Sequence, residues 1–351
     1  MLSQYILEPT DRVAEACSKV GRFLEDDYTM AMSSSDISIA YSEQIPSTPN
    51  SDRKIVIVGA QSVPMATAKS AFLAQTLAKP EKLTIKAPSP DESLLIRESL
   101  EANKDKSHTE YYVYENRSEE LASNAAWLTD LEEATDIVVF GGQETVSFFE
   151  KSNLQDTRLH LHGPKFSLGF VTADLLQDED YLDAMIGDFL SYYGEGCLSP
   201  KFYTIVGSLD EDQLYYLKDS VESESDLIEE FRSKLPLSKK SIVVQQFTYS
   251  TFLSPHIRTS NFSTPEFLSS LFGDLRLVQI NDPDSLESLV LSYKDSISTI
   301  AVEEDDLGDV VAGWDVDVPR YCDVGSMQFP YFYEKFDTVD DFEIYGGTNE
   351  A

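Results

Sequence analysis

The sequence predicts an α/β protein: a doubly wound parallel sheet, followed by a second α/β half of similar length. Three observations carry this. Short β-branched runs such as Lys54–Val58 (KIVIV) and Asp136–Phe140 (DIVVF) alternate with segments of helical apolar spacing. The carboxyl ends of those runs carry Gly59, Lys86 and Gly141-Gly142, and open α/β sheets bind ligands at that end. The chain has 351 residues, more than the ~250–300 that a single core accommodates, so two lobes are expected.

Taken in order, residues 11–26 have helical spacing (Val13, Ala16, Cys17, Val20, Phe23, Leu24), and 31–53 is a Ser- and Pro-rich loop with one short strand. Lys54–Val58 is a strand buried on both faces. Pro64 opens a helix that runs to about Ala78 and stops before Pro80. Strands follow at 83–86, 111–114 and 136–140, separated by helices at 94–101 and 118–133. In the second half, strands are expected at 166–172, 202–206, 241–246, 275–280 and 298–302. Helices are expected at 179–192, 210–219, 222–234, 265–272 and 285–293.

Charge narrows the function classes. With 27 Lys and Arg against 62 Asp and Glu, the formal net charge is −35. Such a field repels phosphate backbones and excludes nucleic acid as a partner. A site for an anionic ligand then needs local positive charge or a helix N-terminus. No run of 18 apolar residues would span a membrane. The first residues carry no basic n-region or apolar h-region, so a cytoplasmic location is expected. No P-loop or GxGxxG fingerprint is present.

The three cysteines, Cys17, Cys197 and Cys322, form no disulfide framework and have no metal-ligand spacing. His160 and His162 alternate and would share one strand face, which reads as a polar face and not as a metal site. Cys17 and Cys322 have apolar neighbours and read as core residues. Cys197 differs: it lies in Tyr193–Pro200 (YGEGCLSP), at a glycine-flanked turn between a helix and a strand. A thiol attacking a carbonyl needs N–H donors aimed at the resulting oxyanion, and a turn of this kind can present them. The competing reading makes Cys197 a small residue filling a tight corner.

Six segments, in order over roughly residues 10–345, resemble the aldehyde dehydrogenase superfamily, and within it the acyl-CoA reductases of the LuxC type. They are KIVIVGAQSVP, LTIKAPSPDES, DIVVFGGQETVSFFE, HGPKFSLGFV, FLSYYGEGCLSPKFYTIVG and VGSMQFP with FDTVDDF. The resemblance implies a two-lobed fold. A nicotinamide cofactor-binding domain would span 1–160 with a return of 320–345, and a catalytic domain carrying Cys197 would span 161–319. It implies that Cys197 takes an acyl group from a thioester and that hydride then releases an aldehyde, with a long-chain fatty acyl group expected.

Gly59, Gly141 and Gly142 would border the cofactor. Lys86 and Ser89 would lie at its adenosine ribose end, where a lysine suits a 2′-phosphate; NADPH is therefore expected, with NADH as the alternative. The thioester would come from acyl-CoA or an acyl-carrier, with an acyl-transferring protein partner, and a homo-oligomer remains open. Where hydrolytic relatives place a water-activating glutamate, this chain reads Leu161-His162-Gly163-Pro164-Lys165. The turn that usually supplies an Asn as oxyanion donor reads Gly59-Ala60-Gln61-Ser62-Val63-Pro64, which leaves Gln61 or Ser62 for that role. Two alternatives follow from these departures: a non-catalytic binding or scaffold descendant, and a cysteine-dependent acyltransferase or thioesterase.

Overall fold

The structure is a computed structural model. It describes residues 52–59, 64–87, 90–102, 109–115, 121, 123–152, 154, 156–190, 196–213, 215, 251–254, 257–259, 275–280, 284–303, 307–314, 318–327 and 344–345. The segments expected at 11–26, 31–51, 222–234, 241–246 and 265–272 lie outside these, as do residues 214 and 216–219 of the helix expected at 210–219. Two compact units divide the chain: Met1–Pro164 with Phe329–Ala351, and Lys165–Gln328.

In the first unit, strands β1 (Lys54–Val58), β2 (Lys82–Lys86), β3 (Glu110–Tyr114), β4 (Asp136–Phe140) and β5 (Arg158–His162) form a five-stranded sheet in the order β3-β2-β1-β4-β5. Every pairing is parallel. β1 and β4 are central, which is why their side chains run as unbroken apolar stretches; Ile57, Ile137, Val138 and Val139 are completely buried. The chain builds outward from β1 to β3 and then crosses to β4, so the order reverses between β1 and β4.

Helix α1 (Pro64–Leu73) passes into a wide π turn, Ala74–Ala78. Lys79 ends that turn at φ 44°, with its N–H donating to Ala74 O at 2.9 Å. Helix α2 (Pro90–Ala102) begins earlier than its apolar spacing predicts, because Pro90 suits a first helical turn whose N–H groups have no partner anyway. Where a helix was expected over 118–133, α3 occupies Ala125–Glu132. Asn124 sets its start, its Oδ1 accepting from the N–H groups of Ala126 (3.0 Å) and Trp127 (3.2 Å). Helix α4 (Gln143–Lys151) follows β4 and seats Val146 and Phe149 inward. Val56, Trp127, Leu131, Ile137, Val139 and Phe149 form the core on one face.

In the second unit a seven-stranded sheet runs in the order β12-β11-β6-β7-β10-β9-β8. Its strands are β6 (Phe166–Thr172), β7 (Pro200–Val206), β8 (Thr251–Ser254), β9 (Ile257–Thr259), β10 (Leu275–Ile280), β11 (Ile297–Val302) and β12 (Arg320–Cys322). Among the described residues, only β8 and β9 pair antiparallel. Helices α5 (Glu179–Leu190), α6 (Asp284–Tyr293) and α7 (Gly308–Ala312) belong to this unit. Leu168, Phe170, Phe202, Val290, Ile297 and Ile300 fill its core and are almost entirely excluded from water. No helix among the described residues is long and apolar enough to cross a membrane.

Candidate active site

The carboxyl edge of the first sheet gathers four of the expected cofactor residues. Val58 lies opposite Lys86 in the β1–β2 register, and the Gly59 N–H donates to Lys86 O at 2.9 Å. One strand beyond, the Gly141 N–H donates to His162 O at 3.1 Å, which carries the strand ends past the sheet at a common level. Gly142 caps α4 without any side-chain bond, and a Cβ built there would meet nothing within 4 Å. The space over this helix N-terminus is therefore open, and its first N–H groups lack helical partners. Gly141 has a different requirement: a Cβ there would come within 2.8 Å of Thr145 Cβ. Glu144, exposed in the first turn of α4, opposes an anion at the same place. Gln61, Ser62 and Ser89 lie outside the described residues.

His162 ends β5, directly before Gly163-Pro164-Lys165. Its ring is buried and stacked on Phe140, with centroids 4.5 Å apart and planes 15° apart. His160, two residues earlier on β5, has its Nε2 3.3 Å from Asp136 Oδ1.

Cys197 belongs to the second unit, on a turn over Gly196–Ser199 that closes with Ser199 N–H donating to Gly196 O at 3.2 Å. Strand β7 starts immediately after it. Ser167, at the start of β6, donates its Oγ proton to the Cys197 carbonyl at 2.6 Å. The β6–β7 register shifts at this point, Ser167 facing Pro200 and Leu168 facing Phe202. One extra residue, Lys201, therefore enters β7 and bends the turn out of the sheet. Leu198 and Ser199 are buried while Cys197 is half-buried with an unbridged sulfur. The tether engages the backbone carbonyl of Cys197. In the same unit, Lys165 Nζ donates to Asp295 O at 2.7 Å. Cys322 is half-buried on β12, at an edge of the sheet, and Cys17 lies outside the described residues.

Sequence reasoning missed a second polar centre in this unit. Asp188, on α5, is 2% exposed. It accepts from the N–H groups of Gly325 (2.6 Å) and Met327 (3.0 Å), and from the Tyr203 hydroxyl at 3.4 Å. Burial pushes its carboxyl up to about 7, against the opposing pull of the two amides, Tyr203 and Arg320. The sequence held one signal for it: Asp188 lies three residues after the fully buried Met185, on the apolar stripe of α5.

No protein-family model matches the chain, and no curated protein does. Solved structures do match. An acetylating aldehyde dehydrogenase from Geobacillus thermoglucosidasius superposes with a TM-score of 0.63 at 13% identity, covering 94% of this chain and 80% of the other. A methylmalonate-semialdehyde dehydrogenase from Oceanimonas doudoroffii gives 0.64 at 10% identity, with coverage of 94% and 80%. A NAD-dependent benzaldehyde dehydrogenase from Corynebacterium glutamicum gives 0.62 at 12% identity, with 93% and 78%. Identity this low carries a conclusion about architecture: the chain has an aldehyde dehydrogenase-like fold.

Proposed function

We propose that this protein is an NAD(P)H-dependent reductase of acyl thioesters that works through an acyl group held on Cys197. The observation that carries the reading is the Cys197 turn: a half-buried thiol at the start of a sheet strand, its own carbonyl fixed by Ser167, in an aldehyde dehydrogenase-like fold. In this reading Cys197 Sγ bonds to the thioester carbon as the bond to the donor sulfur breaks, and the donor leaves as its thiol. The acyl carbon then gains hydride, its bond to Sγ breaks, and an aldehyde departs while the thiolate is restored. The balance is one thioester, one reduced nicotinamide and one proton in, and one aldehyde, one thiol and one oxidised nicotinamide out.

A nicotinamide dinucleotide, when bound, supplies the hydride. The first unit fits such a ligand: the open N-terminus of α4 at Gly142 suits a phosphate, and Lys86 at the neighbouring strand ends offsets negative charge. In a chain of net charge −35 these local features matter more than usual. The first unit is thus read as the cofactor domain and the second as the catalytic domain. Lys86 favours NADPH over NADH, since a lysine there suits a 2′-phosphate. Persistence of the thioester is expected because Leu161–Lys165, where hydrolytic relatives carry a water-activating glutamate, holds no carboxylate. A long-chain fatty acyl group on coenzyme A or a carrier protein is the substrate class proposed.

The test is stoichiometric. Purified protein is given palmitoyl-CoA with NADPH or NADH, and aldehyde and nicotinamide consumption are measured together. Equal amounts of both, absent in Cys197→Ala, are expected, with NADPH the better donor. Release of coenzyme A without nicotinamide oxidation would replace the reductase with a cysteine-dependent transferase or thioesterase. No turnover of any thioester would leave a binding or scaffold protein.

A further inference from the structure

Asp188 is a buried carboxylate for which the acylation chemistry has no use. It stands two residues before the end of α5, the arm that leads to the Cys197 turn, and Tyr203 donates to it from β7, the arm that leads away. The Tyr203 ring lies over Gly169 of β6, where an added Cβ would fall 2.0 Å from a ring carbon. The same carboxylate takes the amides of Gly325 and Met327, while Arg320 donates to the carbonyls of Ser326 (2.8 Å) and Met327 (2.9 Å). Residues 325–327 are thus gripped from both sides. Gly325 itself has φ +89°, and a Cβ there would press to 2.8 Å on Ala184 of α5, so only glycine lets this segment approach the helix.

We infer that Asp188 is a positioning residue for Cys197: its carboxylate ties α5, β7 and segment 325–327 into one clasp that fixes both ends of the chain bearing the Gly196–Ser199 turn. The inference rests on the reading of Cys197 as the nucleophile. Among the described residues, the titratable and charged groups around the clasp include Tyr181 from α5, Tyr203 from β7, Arg320 and Cys322 from β12, and Asp323 and Glu303 beyond the ends of β12 and β11. Opening the clasp returns Asp188 to water and to an ordinary carboxylate. Because its folded value is about 7, opening becomes about tenfold easier per pH unit as pH rises toward that value, and levels off above it.

Hydrogen exchange resolved by peptide, corrected for its intrinsic pH dependence, tests this in the full-length protein without requiring turnover. In wild type, segments 196–206 and 323–327 should open with the same pH slope between about pH 5 and 7. Asp188→Asn should flatten both, whereas Tyr203→Phe should flatten 196–206 alone and leave 323–327 sloped. In both variants acylation of Cys197 at saturating palmitoyl-CoA should be about tenfold slower with the half-saturating concentration unchanged, as expected when a nucleophile is misplaced and not lost. Exchange in 196–206 that ignores both substitutions, or is flat with pH in wild type, would overturn the inference. If wild type takes no acyl group, the reductase reading falls while the exchange slopes still decide the role of Asp188. If Asp188→Asn does not fold, Tyr203→Phe decides it.

Discussion

Asp136 and Asp188, one in each unit, are the most deeply buried acids among the described residues, and their surroundings drive them in opposite directions. Asp136 opens β4 in the first unit and is fully excluded from water. Arg53 Nε lies 3.0 Å from its Oδ2, Arg158 Nε 2.9 Å from its Oδ1, and the Thr135 hydroxyl donates at 2.8 Å. Burial alone would raise its carboxyl, but bonds from His160 and Arg53, the Arg53 charge and Thr135 hold it well below the usual carboxylate range. Asp188 in the second unit is comparably buried, with the amides of Gly325 and Met327 and the Tyr203 phenol among its contacts, and it rises to about 7. Burial alone therefore does not decide the charge of an interior acid; the groups set against it do. Asp136 is a fixed anion. It locks the amino edge of the first sheet to the returning chain, because Arg53 also donates to Ile344 O at 2.6 Å. Asp188 is an acid whose carboxyl is pushed up by burial to about 7.

The comparison is broken most severely by removing the cation. Arg53→Ala leaves Asp136 buried beside a half-exposed Arg158, and a loss of about 3–5 kcal/mol in urea unfolding is expected for the first unit. On the other side, Gly169→Ala drives a methyl group into the Tyr203 ring. An overpacking cost of about 1–3 kcal/mol is expected in the second unit, together with loss of the Tyr203 bond to Asp188.

The signs of the two acids then predict two separate pH limbs. The folded value of Asp188 is raised, so its contribution is complete below about pH 4 and is lost as pH rises toward 7. The folded value of Asp136 is depressed, so its contribution is complete above about pH 4 and is lost as pH falls further. Each limb can reach about 1.4 kcal/mol per pH unit. Asp188→Asn should erase the upper limb alone, and Asp136→Asn the lower alone, in equilibrium unfolding followed from pH 3 to 8. The smallest effect is the control: Asn124→Ala removes the α3 cap, costs about 1 kcal/mol, and should leave both limbs in place.

How legible these features were in the sequence follows from the physics of each. KIVIV and DIVVF were read correctly because a central parallel strand is buried on both faces and needs no partner to betray it. Phe166–Thr172 and Leu275–Ile280 were placed at the bounds the structure shows. β12 escaped notice, since three residues beginning with an arginine carry no periodic pattern. The placement of Gly59, Lys86 and Gly141 at strand ends was legible because each directly ends or follows a short apolar run. Ser167 was not singled out, because its bond to the Cys197 carbonyl spans 30 residues and depends on the register of two strands. Asp188 looks like one more acid in a strongly acidic chain, and only its place on the stripe of α5 distinguishes it. Gly169 likewise reads as a weak spot in a strand until the tyrosine that covers it is seen.

The most direct test of the central claim is the intact mass of the protein after brief exposure to palmitoyl-CoA in the absence of nicotinamide, for wild type and Cys197→Ala. A single acyl adduct on wild type, absent from the variant and removed when NADPH is added with release of aldehyde, is the predicted result. An adduct of equal size on both proteins, or none on either, would contradict the claim that Cys197 carries the acyl group.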